Sequence, residues 1–161
     1  MRPHFLAVES ILAAQDEELK ERWLRRVGTG EVAIGNALTE VNNAPGEVTT
    51  TLTRLDDGNF VLNGTKFYST GSLYGDVIYV RARISDTGED VFAFVDRWAD
   101  GVSLLDDWDG FGQQLSASGT TVFNQVEVPA QDVLYRNYLA PGVSQALAQA
   151  LSLIHISEPT R

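Results

Sequence analysis

A mainly β fold, an antiparallel barrel or sandwich with short helices before it and the start of a helix after it, is predicted by three observations. Short runs rich in Thr, Val, Ile and Phe recur at even spacing from Glu31 onward, with Gly- and Asp-rich turns between them. An apolar stripe at i, i+4 and i+8, formed by Leu19, Trp23 and Val27, precedes them among charges such as Glu18, Lys20 and Glu21. The same helical period returns beyond Arg136 with Val143, Leu147 and Leu151. The chain has 161 residues and 43% hydrophobic content, enough to bury one ordinary core.

The elements follow in order. Residues 5–27 read as two short helices, with Asp16 as the N-cap between them and Gly28-Thr29-Gly30 stopping the second. Residues 48–55 alternate, Asp56-Asp57-Gly58-Asn59 turns the chain, and Phe60-Val61-Leu62 starts the return strand of a hairpin. A second hairpin joins residues 77–84 to residues 91–95 through a turn at 85–90. Residues 102–105 and 120–128 add further strands, and Pro129 ends the last. The helix after Arg136 reads as cut short, because in residues 151–161 the β-branched Ile154 and Ile156 run into Glu158-Pro159. That peptide, LSLIHISEPTR, resembles translated sequencing-adapter DNA, so 152–161 is expected to be a non-native tail. The resulting division is 1–30 helical, 31–135 β-domain, 136–151 start of a helical bundle, and 152–161 tail.

Charge and composition narrow the function. Twelve basic against twenty-two acidic side chains give a formal charge of −10, spread along the chain, which repels phosphate backbones and anionic lipid. No nucleic-acid or membrane partner is therefore expected. The chain has no cysteine, so disulfide frameworks and thiolate chemistry drop out together. With no secretion signal or apolar run of spanning length, a cytoplasmic location is expected. His4 and His155 stand far apart, so neither a zinc site nor a Ser-His-Asp triad is expected, and no metal.

Two segments carry the chemistry. One is Asn36-Ala37-Leu38-Thr39-Glu40; the other, residues 62–71, reads LNGTKFYSTG. Each sets hydroxyl, amide and aromatic groups beside a turn, which is how proteins grip a flat heteroaromatic cofactor. Tyr68 and Thr70 lie two apart, so on an extended strand they face one side. From the residue types alone, Thr39 reads first as a strand-end residue and Tyr68 as a core aromatic.

Order and spacing of these segments resemble the middle β-domain of the acyl-CoA dehydrogenase superfamily, where a T-E dipeptide ends one strand and an NG-K-aromatic-x-[ST] run follows the next hairpin. The likeness covers most of the chain, from about residue 5 to residue 151, and only the centre of a full-length member. It implies a flavin, FAD or reduced FMN. The Thr39 hydroxyl and amide would then meet the pyrimidine edge, with Leu38 packed on the ring and Asn36 bonding cofactor or substrate. Tyr68 would stack, in a place where dehydrogenases usually carry Trp, and Thr70 would approach the reactive N5 side.

A third stretch, from Asp107-Trp108-Asp109-Gly110-Phe111-Gly112-Gln113-Gln114 through Gly119, is similar to the family's flavin-dependent monooxygenase branch of the dibenzothiophene-desulfurisation type. There Trp108 is the candidate wall of a substrate cavity, and Gln114 replaces a common Arg, removing a fixed charge. Asp106, Asp107 and Asp109 lack the spacing of a Ca²⁺ loop and read as a solvated acidic turn. Pro45 stands where dehydrogenases carry the Ser that meets a thioester, which weighs against acyl-CoA. The resemblance thus implies a monooxygenase that takes reduced flavin from a separate reductase and oxygenates a sulfur compound or another small organic molecule. An acyl-CoA dehydrogenase and a catalytically inert truncated chain are the alternatives. Family members are usually tetramers, and the dehydrogenase base would come from the C-terminal bundle, so the catalytic residue is unknown. This chain alone is expected to bind flavin weakly and to catalyse nothing.

Overall fold

The computed structural model describes residues 2–41 and 47–136, and within them the sequence builds helices first and one curled sheet afterwards. Helix α1 (Arg2–Leu12) is followed by α2 (Glu17–Gly28), whose first turn is capped by the Asp16 carboxylate accepting from the Leu19 amide at 3.0 Å. At the other end Thr29 closes α2, its amide donating to the Arg25 carbonyl and the Gly30 amide to the Val27 carbonyl, both at 3.0 Å. Both the capping aspartate and the stop are where the sequence places them.

Eight strands follow: β1 (Ile34–Ala37), β2 (Thr51–Arg54), β3 (Phe60–Lys66), β4 (Val77–Ile84), β5 (Asp90–Asp96), β6 (Val102–Leu105), β7 (Thr120–Val128) and β8 (Val133–Tyr135). They form a half-barrel in the order β6-β7-β3-β2-β4-β5-β8, with β1 also on β4. The β2–β3 and β4–β5 hairpins match the expected ones, and Gly58 and Gly88 supply the positive φ, +89° and +73°, that their turns require.

Alternation decides which face each side chain takes. Ile78, Val80, Ala82 and Ile84 of β4 and Val91, Ala93 and Val95 of β5 point into the curl, where Phe60, Leu62, Phe123 and Val126 complete the inner core. Val77, Tyr79, Phe92 and Phe94 point outward and are covered by Ala7, Ile11, Leu19 and Trp23 of the helices. Trp23 stacks on Phe94 with centroids 4.4 Å apart, and Tyr79 on Phe92 at 4.7 Å. Burying such rings contributes roughly 1.5–3 kcal/mol each, so the helices are tied firmly to the outer face.

The structure adds two features to the expected architecture. Strand β4 pairs in parallel with β1 along 34–37 and again with β2 at Thr51 and Leu52, so the sheet is not purely antiparallel. Beyond Pro129 the chain makes a 3-10 turn and then β8, antiparallel to β5. Residues 42–46, the expected helix at 136–151 (save Arg136) and the tail at 152–161 lie outside the described residues.

Candidate functional site

Strand β1 and the segment leaving β3 meet at one place. The Phe67 amide donates to the Thr39 carbonyl at 2.8 Å, an isolated antiparallel bridge, and the Asn36 amide donates to the Thr70 carbonyl at 3.0 Å. Residues 36–39 and 67–70 therefore lie side by side, as the two sequence segments suggest. Gly35 makes this approach possible, because a Cβ there would stand 2.7 Å from the Gly71 backbone.

The local backbone differs from the extended strand assumed for Tyr68 and Thr70. Strand β3 stops at Lys66, and Tyr68 takes φ +53°, a left-handed conformation uncommon for an aromatic residue. The chain then turns rather than extending, so period-two alternation does not apply to this pair. Its main chain is held by three bonds to the segment 116–119: Ser69 donates to the Gly119 carbonyl at 2.9 Å, and Gly71 donates to the Ser116 and Ala117 carbonyls at 3.1 and 3.0 Å. Tyr68 is no core aromatic either, being 51% exposed. Backbone strain of order 1–3 kcal/mol held in place by surrounding bonds is common where a protein presents a side chain to a ligand.

Behind the turn is a buried ion pair that the sequence reading does not single out. Lys66 Nζ donates to Glu40 Oε1 at 2.5 Å, with side-chain exposures of 0% and 5%. Glu40 also accepts from the Thr49 amide and hydroxyl, both at 2.7 Å, and from the Thr50 amide at 2.9 Å. Burial would raise the Glu40 carboxyl, but the Lys66 ammonium and these donors more than offset it, holding it far below the ordinary carboxylate range. For Lys66, burial dominates and lowers the ammonium's pKa despite Glu40. A sequence signal existed: Lys66 sits in phase with the inward Phe60 and Leu62, and a lysine on an apolar phase requires a carboxylate.

Thr39 is exposed, while Asn36 and Leu38 are half-buried beside it. Thr70 Oγ1 donates to the Tyr68 carbonyl at 3.3 Å and accepts from Ser118 Oγ at 3.1 Å. Tyr68 meets Phe67 edge-on at 4.4 Å and Trp108 edge-on at 5.1 Å. Together with Asp107, Asp109, Gly110 and Gly119 these rings line a cavity of about 170 Å³. Trp108 is fixed by its indole N–H donating to the Gly112 carbonyl at 2.8 Å and by its ring packing over Gly110, where a Cβ would come within 2.3 Å.

The acidic turn has a structural task. Asp107 accepts from both the amide and the hydroxyl of Thr120 at 2.7 Å, and the Thr120 hydroxyl above all lowers its carboxyl. Gln114 is exposed in the 3-10 turn Gln114–Ser116. On the other side of Thr70, an open cleft of about 720 Å³ is lined by Phe5, Tyr74, Leu115 and Ser116 among others. Thr70 is thus the residue between the cleft and the aromatic side of the turn. Among the described residues no group of acidic or histidine side chains is placed to hold a metal, and no helix is long and apolar enough to cross a membrane.

Residues 36–126 match the family model for the acyl-CoA dehydrogenase middle domain. The chain is 35% identical over 121 residues to a dibenzothiophene monooxygenase of Mycolicibacterium goodii, covering 73% of this chain and 29% of that protein. The FMN-bound structure of TdsC from Paenibacillus sp. A11-2 superposes with a TM-score of 0.74 at 32% identity, covering 81% of this chain and 34% of TdsC. An acyl-CoA dehydrogenase of Bacillus anthracis complexed with FAD gives a TM-score of 0.70 at 30% identity, covering 80% of this chain and 22% of that one. The chain thus spans about 30% of the length of the curated relatives it matches.

Proposed function

Because this chain belongs to the acyl-CoA dehydrogenase middle-domain family, we propose that residues 36–39 and 67–71 form the flavin-facing wall of a reduced-flavin-dependent monooxygenase. Its substrate is a small organic molecule, with sulfur compounds among the candidates. The observation that carries the reading is the junction itself, the Phe67 amide on the Thr39 carbonyl and the Asn36 amide on the Thr70 carbonyl. It sets an exposed hydroxyl, an apolar side chain, an exposed ring and a second hydroxyl along one short edge.

This donor set fits an isoalloxazine: the ring needs hydrogen-bonding groups at its pyrimidine edge and N5, and an apolar or aromatic surface against its face. Thr39 and Asn36 hold the polar edge, Leu38 and Tyr68 pack on the ring, and Thr70 offers its hydroxyl near N5. When bound in its reduced form, the flavin supplies the electrons that activate dioxygen. Tyr68 and Trp108 keep the substrate cavity apolar on one side, while Asp107 and Asp109 disfavour an anionic substrate there. Within the proposal, residues 31–135 are the flavin-binding unit, residues 1–30 end a helical domain, 136–151 begin a bundle and 152–161 are a non-native tail. The protein works in the cytoplasm as a homotetramer with a separate flavin reductase.

Titrating FMN against the chain tests the wall. Saturable quenching of flavin fluorescence is expected, weakened about two- to tenfold by Tyr68→Ala, the size of one aromatic contact. Quenching that Tyr68→Ala and Thr70→Ala leave untouched would remove these residues from the site. Similarity to the Bacillus anthracis enzyme favours a second reading, CH–CH oxidation of an acyl-CoA with FAD. In the full-length protein, oxygen consumption with reduced flavin and a sulfur compound supports the monooxygenase; bleaching of bound flavin by acyl-CoA alone supports the dehydrogenase.

A further inference from the structure

The cavity beside Tyr68 is walled by three rings. Phe67 and Tyr68 meet at 67° with centroids 4.4 Å apart, and Tyr68 and Trp108 at 71° and 5.1 Å. Rings inclined this steeply form corners rather than a stack, and the open part of each face is the electron-rich side of an aromatic group. The Trp108 indole N–H is already bonded to the Gly112 carbonyl at 2.8 Å, so what Trp108 offers a ligand is its ring.

The rim is acidic. Asp107 and Asp109 line the cavity, and Asp106 precedes them. Asp107 accepts from the Thr120 amide and hydroxyl, neutral donors that leave its charge in place. Asp109 is exposed and makes no hydrogen bond or ion pair among the described residues. Neither 67–80 nor 98–135, the stretches that carry the lining residues, contains a Lys, Arg or His. Lys66, next in sequence, is buried on Glu40.

Charge sorts the occupants this geometry would take. An anion is repelled by the carboxylates and by the ring faces together. A neutral molecule gains from the rings and nothing from the acids. Only a cation is attracted by both, through the ring quadrupoles and through Coulomb attraction. No group of side chains among the described residues is placed to hold a metal, and aromatic walls suit an organic cation better than a hydrated metal ion. At about 170 Å³ the cavity is smaller than the roughly 300–1,000 Å³ of a pocket for a whole ligand, so it fits a head group.

We propose that the cavity walled by Phe67, Tyr68 and Trp108 and rimmed by Asp107 and Asp109 holds an organic ammonium group, the cationic head of the small molecule the protein acts on. That the cation belongs to the substrate rests on the flavin reading above; that the cavity takes a cation does not. The ammonium is a handle and not the atom oxygenated, because a protonated nitrogen has no lone pair to give. Trp98 is the contrast within the chain. It is exposed as well, but the Arg97 guanidinium lies 4.1 Å over its ring, so that face already carries a cation.

Benzylammonium and benzyl alcohol, alike in shape and different in charge, provide the test when each is titrated against the ¹⁵N-labelled chain. Benzylammonium is expected to shift the Trp108 indole N–H and the Phe67, Tyr68 and Gly119 amides saturably, with the Trp23 and Trp98 indoles unmoved. It should bind about fivefold or more tightly than the alcohol. Asp109→Asn, at a side chain with no bond in the fold, should weaken the ammonium about two- to fivefold, the worth of an exposed ion pair. Added salt should weaken the ammonium and leave the alcohol unchanged. Equal binding of the two compounds, indifference to both Asp109→Asn and salt, or shifts that avoid Trp108 would overturn the cation pocket. A separate titration with FMN keeps the two readings apart. If the Thr39 and Thr70 amides ignore FMN while benzylammonium still saturates at Trp108, the flavin reading and the substrate assignment fall and the cation pocket stands.

Discussion

Two residues apart in the chain, Lys66 and Tyr68 are held by opposite means. Lys66 is fully buried on Glu40, while Tyr68 is 51% exposed and kept in a left-handed backbone conformation by main-chain bonds around it. The first position fixes where the chain leaves β3; the second offers a ring to whatever binds. The division has a physical logic. A charge pair out of water gives little net stability but tolerates no other geometry once formed, so it is suited to fixing a register. An exposed ring keeps its contact surface unspent until a ligand arrives.

Breaking the buried side should have the largest effect. Glu40→Gln or Lys66→Met leaves the partner's charge or donors uncompensated in the interior, and either is expected to cost about 3–5 kcal/mol in denaturant unfolding. The double variant should recover a large part, since neither charge then remains; additive losses would contradict the pairing. Next comes Gly35→Ala, whose Cβ would meet the Gly71 backbone at 2.7 Å. A clash with main chain cannot be relieved by a rotamer, so about 1–3 kcal/mol is expected, along with loss of exchange protection at the Asn36 amide that bonds Thr70.

Acid should separate the two regions next. Glu40 has a folded pKa depressed below its ordinary 4.5, so the stability it contributes is complete above that pH and lost as pH falls toward the folded value. Asp90 acts with the same sign: burial raises its carboxyl, but Arg81 and Arg83, at 2.7 and 3.2 Å, more than offset this. The melting temperature should therefore drop as pH is lowered below about 4.5, and Glu40→Gln should flatten that slope. The smallest effect on stability belongs to the exposed side. Tyr68→Ala should change unfolding by no more than about 0.5 kcal/mol, while still weakening FMN.

Local signals were the legible ones. The stripe Leu19, Trp23, Val27 and the cap Asp16 define α2 because helix formation is decided within a few residues. The turns at 56–59 and 85–90 define their hairpins for the same reason. Strand β8 escaped notice because it is three residues long and follows Pro129, and the parallel partners of β4 because they come from 43 and 32 residues earlier in the chain. At the site, the sequence brought Thr39 and Tyr68 together through their motifs. It gave Tyr68 the wrong backbone, since alternation carries past Lys66 only if the strand does, and here the Thr39 carbonyl and the 116–119 segment bend it away. The Glu40–Lys66 pair was the missed residue set, visible only by asking why a lysine occupies the inward phase of β3.

The most direct test of the flavin wall is an FMN titration of the ¹⁵N-labelled chain followed by amide chemical shifts, which registers weak binding as well as tight. Saturable shifts at Asn36, Leu38, Thr39, Tyr68 and Thr70, with the amides of α2 and of the turn at 85–90 unmoved, are the expected result. Shifts that saturate elsewhere while these five amides stay still would contradict it.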